Sequence, residues 1–179
     1  MLRRLALAAL AAVALTSATA ARAAPAAGPT PTVGVGISIV PDVLFAMKTV
    51  EIFVPITLQQ LRIEPSIGIF TDNGGPVEDR SDVTLGVGVF YMIPLAAQAD
   101  LYAGGRLKLN FASVTPVGAG STSGTDVYIL AALGGEYFLA PQRFSIGLEG
   151  QLGFRSLSRA SGDSNGIYTN GLGFLRLYF

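Results

Sequence analysis

The chain contains no cysteine, no histidine and no tryptophan, and only 13% of its residues are charged. Without cysteine there is no disulfide frame, although the amino-terminal region discussed below points to an oxidising route. Without histidine the usual general base of hydrolases and acyltransferases is missing, so the chain is not expected to be an enzyme, and neither a cofactor nor a metal site is expected. Average soluble domains carry roughly 25% charged residues, far above this chain. Lysine occurs only at Lys48 and Lys108, whereas exposed sheet faces and edges normally use it freely. Basic and acidic residues number 12 each, and the basic ones are scattered, which argues against nucleic acid as a partner. A solid apolar run is also missing after the first 23 residues. The most apolar later stretch, 83–97, alternates and is interrupted by Thr84, Gly86, Gly88 and Pro94. It therefore does not read as a membrane helix, which takes ~20 consecutive apolar residues.

What is present is 50% apolar residues with 22 glycines and 10 prolines, a composition that supplies strands and turns. At the front, Arg3 and Arg4 precede an apolar run over 5–15. Small residues follow, including Ala18-Thr19-Ala20 and Ala21-Arg22-Ala23. This layout predicts a cleavable secretory signal over 1–23. Residues 24–31, rich in Ala and Pro, are expected to be a flexible lead-in. The remainder, 32–179, is expected to form one domain.

That domain consists of eight alternating runs, 33–40, 49–58, 61–69, 83–93, 101–111, 127–139, 143–155 and 167–179. Period-two alternation over this length predicts strands with two unlike faces. Connections alternate between tight turns, at Gln59-Gln60, 96–100 and 140–142, and longer stretches read as loops, including 71–81, 113–125 and 156–166. An even strand count with short turns at one end and long loops at the other suits a transmembrane barrel. The predicted fold is therefore all-β, an eight-stranded antiparallel up-and-down transmembrane β-barrel. The loop containing Asp72, Glu78, Asp79 and Asp82 is acidic and is expected to be solvated.

Ionisable residues within the runs are Glu51, Arg62, Glu64, Arg106, Lys108, Glu136, Arg143, Glu149, Arg155 and Arg176, and every one falls on the less apolar face. That face also carries many glycines together with Phe53, Phe70, Phe90 and Phe174, which makes a poor solvent surface but a plausible narrow interior. Aromatics of the apolar face sit near run ends. Tyr91, Tyr137, Phe144 and Phe179 lie toward the tight turns, and Phe111 and Phe154 toward the long loops. Two girdles flanking an aliphatic belt are what membrane interfaces select. The apolar face is thus expected to meet lipid. The lumen is expected to hold a charge network of Glu51, Arg62, Glu64, Arg106, Lys108, Glu136, Glu149, Arg155 and Arg176, with Arg143 at the tight-turn rim. Unpaired charge in a confined space would cost several kcal/mol per ion, so mutual pairing is expected. Ser145 reads as a polar lumen residue.

The last run ends in Leu175, Leu177 and Phe179 at alternate positions, and this ending resembles the carboxyl-terminal signature of bacterial outer membrane barrels. Over nearly all of 32–179 the chain resembles the small outer membrane β-barrel family that includes the OmpA membrane domain, OmpX and OmpW. The resemblance implies a monomer in the bacterial outer membrane, in contact with its lipid and lipopolysaccharide. It further implies folding through the assembly machinery and periplasmic chaperones, with Phe179, Leu177 and Leu175 as the assembly signal. The function expected is a structural or surface-interaction role with the lumen plugged by side-chain charge pairs. The alternative is a narrow channel for ions or small apolar molecules.

Overall fold

A computed structural model describes residues 33–41, 48–72, 78–116, 118, 120–140, 143–159 and 162–179. The expected signal and lead-in lie outside the described residues. Alternation of apolar and polar residues produces nine strand segments: β1 (Gly34–Pro41), β2 (Lys48–Phe53), β3 (Ile56–Leu58), β4 (Leu61–Asp72), β5 (Glu78–Ala96), β6 (Ala99–Pro116), β7 (Thr122–Ala140), β8 (Phe144–Arg159) and β9 (Gly162–Tyr178). All pairings are antiparallel, in the order β2-β1-β9-β8-β7-β6-β5-β4-β3, and a further β2–β4 pairing closes the ring. Closure matters because an open sheet edge cannot be satisfied in hydrocarbon.

β2 and β3 are halves of one strand. Both pair with β4 in a single register, Val50↔Ile69 continuing as Ile56↔Ile63, so the barrel has eight strands around its wall. The run 49–58 was expected to be continuous, and the break at Val54-Pro55 corrects that. Its cause is a pair of prolines. Val54 donates to the Pro65 carbonyl at 3.0 Å, and Gly34 donates to the Pro55 carbonyl at 3.0 Å. Neither proline has an N–H with which to return the bond. We expect β3 amides to show the fastest hydrogen exchange of the described strands in lipid vesicles. Protection of β3 equal to that of β6 would show that the missing donors do not weaken this seam.

A second correction concerns strand length. The segments 113–125 and 156–166 read as loops, yet β6 and β7 stay paired to Val114↔Thr122, and β8 and β9 to Arg159↔Gly162. β5 likewise begins at Glu78, inside the acidic stretch. Apolar alternation marks only the part of a strand whose outward side chains are aliphatic or aromatic. Beyond it the backbone ladder continues among Ser, Thr, Gly and Asp side chains, whose composition reads as loop. β5 to β9 therefore rise past the apolar belt.

Burial follows parity throughout. Leu133 and Leu148, pointing outward, are 62% and 73% exposed, while Arg62 and Glu64, pointing inward, are fully buried. The lumen is packed rather than hollow around Phe53, Phe90, Met92, Tyr102, Leu172 and Phe174. Interior glycines make room for these rings. A Cβ at Gly147 would run into the Phe174 ring and the Gly135 carbonyl, and one at Gly134 would run into the Tyr102 ring. Gly147→Ala is expected to destabilise the barrel by about 1–3 kcal/mol, because backbone blocks any accommodation. Thermal shift of gel mobility would report it, and parental stability in this variant would mean the ring has room to move.

Candidate functional site

The site is the inside of the barrel. Hairpin registers from the tight turns bring inward positions of β4 to β9 to a common height, with Gly88 opposite Arg106 and Gly86 opposite Lys108. With no side chain on β5 at either place, both cations extend over that side and across the lumen.

Three guanidinium groups and three carboxylates meet there. Arg62 Nη1 donates to Glu136 Oε2 at 2.8 Å and lies 3.8 Å from Glu64. Arg176 donates from Nη1 to Glu136 Oε2 at 2.8 Å and from Nη2 to Glu64 Oε1 at 2.6 Å. Arg106 donates through Nε and Nη2 to the two oxygens of Glu149, at 2.6 and 2.7 Å, and through Nη2 to Glu64 at 2.8 Å. Around the ring, β4 lies three strands from β7 and three from β9, and β6 lies two from both β4 and β8. Apart from the Arg62–Glu64 contact within β4, each bond joins strands that are not neighbours. The network therefore spans the lumen rather than decorating one wall.

Neutral groups complete it. Tyr178 Oη and Ser145 Oγ each donate to Glu136 Oε1 at 2.5 Å, and Tyr102 Oη donates to Glu149 Oε2 at 2.9 Å. Gln151 Nε2 donates to Glu149 Oε1 at 2.7 Å, and Arg62 Nε to Thr57 Oγ1 at 3.3 Å. Arg62 Nη2 and Arg176 Nε find no acceptor. Both guanidinium groups instead face rings, Arg176 lying 3.9 Å from the Phe174 centroid and Arg62 5.7 Å from that of Tyr178. Such contacts stabilise a desolvated cation by ~2 kcal/mol. Above this layer, toward the long-loop end, Lys108 Nζ donates to Glu51 at 2.6 Å, again between strands three apart. Thr84, Asn110 and Asp126 are linked by hydrogen bonds at the same end. Arg155 stands apart from the central cluster, over the Tyr168 ring at 5.4 Å.

Sequence reasoning omitted Tyr102, Tyr178 and Gln151 from the network, although all lie on the inward parity and that signal could have found them. It also left Asp82, Asp100 and Asp126 outside the strands. All three are buried strand residues, so Asp82 does not belong to a solvated acidic loop.

On the outer wall Tyr91, Tyr137 and Phe179 are exposed toward the tight turns, with Phe144 partly covered. Phe111 and Phe154 are exposed higher up. Phe111 pairs with Val83 and Ala103 with Tyr91, so eight residue steps separate the two aromatic levels. At ~3.3 Å per step and a tilt of ~40°, this corresponds to a belt about 20 Å tall, near the ~25 Å band of membrane barrels. Below the belt a device repeats. Gln60 accepts from Tyr91 Oη through its side chain and from Met92 N through its carbonyl, and Gln98 receives Tyr137 and Phe138 in the same way. Leu175, Leu177 and Phe179 point outward, and the Phe179 N–H donates to Val33 O at 3.0 Å.

The fold is similar to that of Neisserial surface protein A, with a TM-score of 0.58 and 17% identity over 82% of this chain and 94% of that one. Ail, the attachment invasion locus protein of Yersinia pestis, matches with a TM-score of 0.46 and 12% identity over 80% of this chain and 94% of its own. A major outer membrane protein from Thermus thermophilus matches with a TM-score of 0.37 and 16% identity over 82% and 99%. No protein-family model and no curated protein matches the sequence. At this identity the first likeness shows the fold alone, a small antiparallel β-barrel.

Proposed function

We propose that this barrel of the outer membrane is a closed protein with a structural or surface-interaction role, its lumen plugged by paired charges. One observation carries the reading: three buried arginines and three buried glutamates bond to each other across non-adjacent strands. The six charges cancel, so the layer carries no net charge to attract a passing ion. Breaking any pair to admit one would strand a buried charge at a cost of roughly 3–5 kcal/mol. Function is then left to the outside of the molecule. The strands that rise past the belt present exposed neutral polar residues, among them Thr122, Ser123, Thr125, Ser164 and Asn165. The row Leu175, Leu177 and Phe179 is the outward face of the closing strand, available to assembly factors before the barrel shuts.

Planar-bilayer recording tests the reading. The parent protein should show no steady conductance, and a variant lacking both Arg106 and Glu149 side chains should conduct. A steady current from the parent, with ion selectivity altered by Glu149→Gln, would replace the plug with a channel.

A further inference from the structure

Two apolar grooves meet on the outer wall. The smaller, about 380 Å³, begins at the tight-turn end between Val35, Phe144 and Leu177. It meets the larger, about 890 Å³, at Ile37 and Leu175, which line both. From there the larger groove crosses β9, β8 and β7 over Gly173 and Gly135. These two glycines point outward, where their partners across the neighbouring strands are large aliphatics. Registers place Gly173 beside Leu148 and Ile39, and Gly135 beside Leu101 and Leu148. The groove is therefore a depression cut into the lipid-facing belt and walled by aliphatic side chains.

Phe144 lines its lower mouth, and the residue before it in the chain is a cation at the tight-turn rim. Arg143 is exposed, and its carbonyl accepts the Tyr178 N–H at 2.7 Å, which fixes the backbone there. Among the residues whose side chains are described, the other cations are engaged. Arg62, Arg106, Arg176 and Lys108 are in ion pairs and Arg155 lies over Tyr168, so Arg143 alone is without a partner. It stands below the belt, at the level of lipid headgroups.

The geometry points to a phospholipid site: an acyl chain lies in the groove over Gly173 and Gly135, and its headgroup phosphate pairs with Arg143. An apolar depression left unfilled loses dispersion contacts along its whole lining, and within a bilayer the material that can follow its bend is a flexible hydrocarbon chain. Guanidinium and phosphate form paired charge-assisted hydrogen bonds. Tight turns of such barrels face the periplasm, so the lipid belongs to the periplasmic leaflet. This site needs the outer wall to meet lipid but is independent of whether the lumen conducts.

The glycines allow a direct test. A Cβ at Gly173 would touch only Leu148 Cδ2, at 3.7 Å, and one at Gly135 would meet Leu101 Cδ2 at 3.3 Å, so leucine at either place fills the groove from outside without entering the wall. The protein is reconstituted into vesicles of phosphatidylethanolamine and phosphatidylglycerol, extracted in mild detergent, and examined by native mass spectrometry for retained lipid. The parent should retain one phospholipid per barrel, as should a Val89→Leu control, in which the altered residue lies outside both grooves. Gly135→Leu combined with Gly173→Leu should lower retention about tenfold, and Arg143→Gln, through loss of a charged hydrogen bond, by about tenfold as well. Should the double variant fail to fold by gel mobility, Gly173→Leu alone decides. Equal retention in the groove-filled variant and the parent, no retained lipid in the parent, or barrels recovered as pairs would each overturn the site, the last by giving the groove to a second copy.

Discussion

Glu136→Gln is expected to destabilise the folded barrel by about 3–5 kcal/mol, the range for stranding a buried partner. Glu136 accepts from Arg62, Arg176, Ser145 and Tyr178, and all five groups are buried. An amide can keep its oxygen toward the two guanidinium groups and turn its NH2 toward the Ser145 and Tyr178 hydroxyls, but it carries no charge to balance the arginines. Glu64 and Glu149 alone then face Arg62, Arg106 and Arg176, which leaves one buried positive charge in excess. Glu51→Gln supplies the scale, since among the described residues Glu51 is bonded to Lys108, at 2.6 Å, in the layer nearer the long-loop end. Urea titration in lipid vesicles, read by tryptophan-independent gel mobility, should place Glu136→Gln well below Glu51→Gln. Equal, small losses for both would mean that water screens the lumen and that it is open.

Val87→Arg is expected to cost about 2–4 kcal/mol in the same titration, the penalty for arginine near the midplane on a lipid-facing wall. Val87 points outward at 39% exposure between Pro65 and Leu107, midway along the belt. On a protein surrounded by water, a substitution at such an exposed position would stay within about 0.5 kcal/mol. Val87→Leu is the suitable control. The neighbouring Gly88 is unsuitable, because a Cβ there would enter the Phe90 ring and approach Arg106 Nη1 to 3.0 Å. A loss for Val87→Arg no larger than for Val87→Leu would reverse the assignment of faces.

Much of this architecture is legible in period-two alternation, because a strand offers two faces and a barrel needs one of them outside. The number of strands around the wall, the antiparallel hairpins and the side of the wall carrying Arg62, Glu64, Arg106, Glu136, Glu149 and Arg176 all follow from it. The pairing of these residues does not. Arg176 reaches Glu64 over three strands, and which inward groups share a height across a closed ring depends on tilt and stagger, which no local pattern records. Tyr102 and Tyr178 could be placed in the lumen by their parity, but that their hydroxyls serve Glu149 and Glu136 is decided by the same stagger. The prolines at 55 and 65 were visible in the sequence, yet their joint effect required knowing that Val54 stands opposite Pro65. The upper ends of β6 to β9 were misread because their Ser, Thr, Gly and Asp side chains lose the apolar alternation that marks a strand. The outer groove was equally illegible, since Gly135 and Gly173 become one surface only when β7, β8 and β9 are laid side by side.

Absence of cysteine makes the central claim, an apolar wall in lipid around an enclosed charged interior, directly measurable. Single cysteines placed at 83, 85, 87 and 89 on the outer face of β5, and at 84 on its inner face, can each carry a nitroxide without a competing thiol. Collision with oxygen, which concentrates in hydrocarbon, and with a water-soluble nickel chelate can then be compared in vesicles. The outer series should show high oxygen and low nickel accessibility with the oxygen maximum near 87, and the label at 84 should be poorly reached by both. High nickel accessibility along 83 to 89 would contradict the lipid-facing wall, and high nickel accessibility at 84 would contradict the enclosed interior.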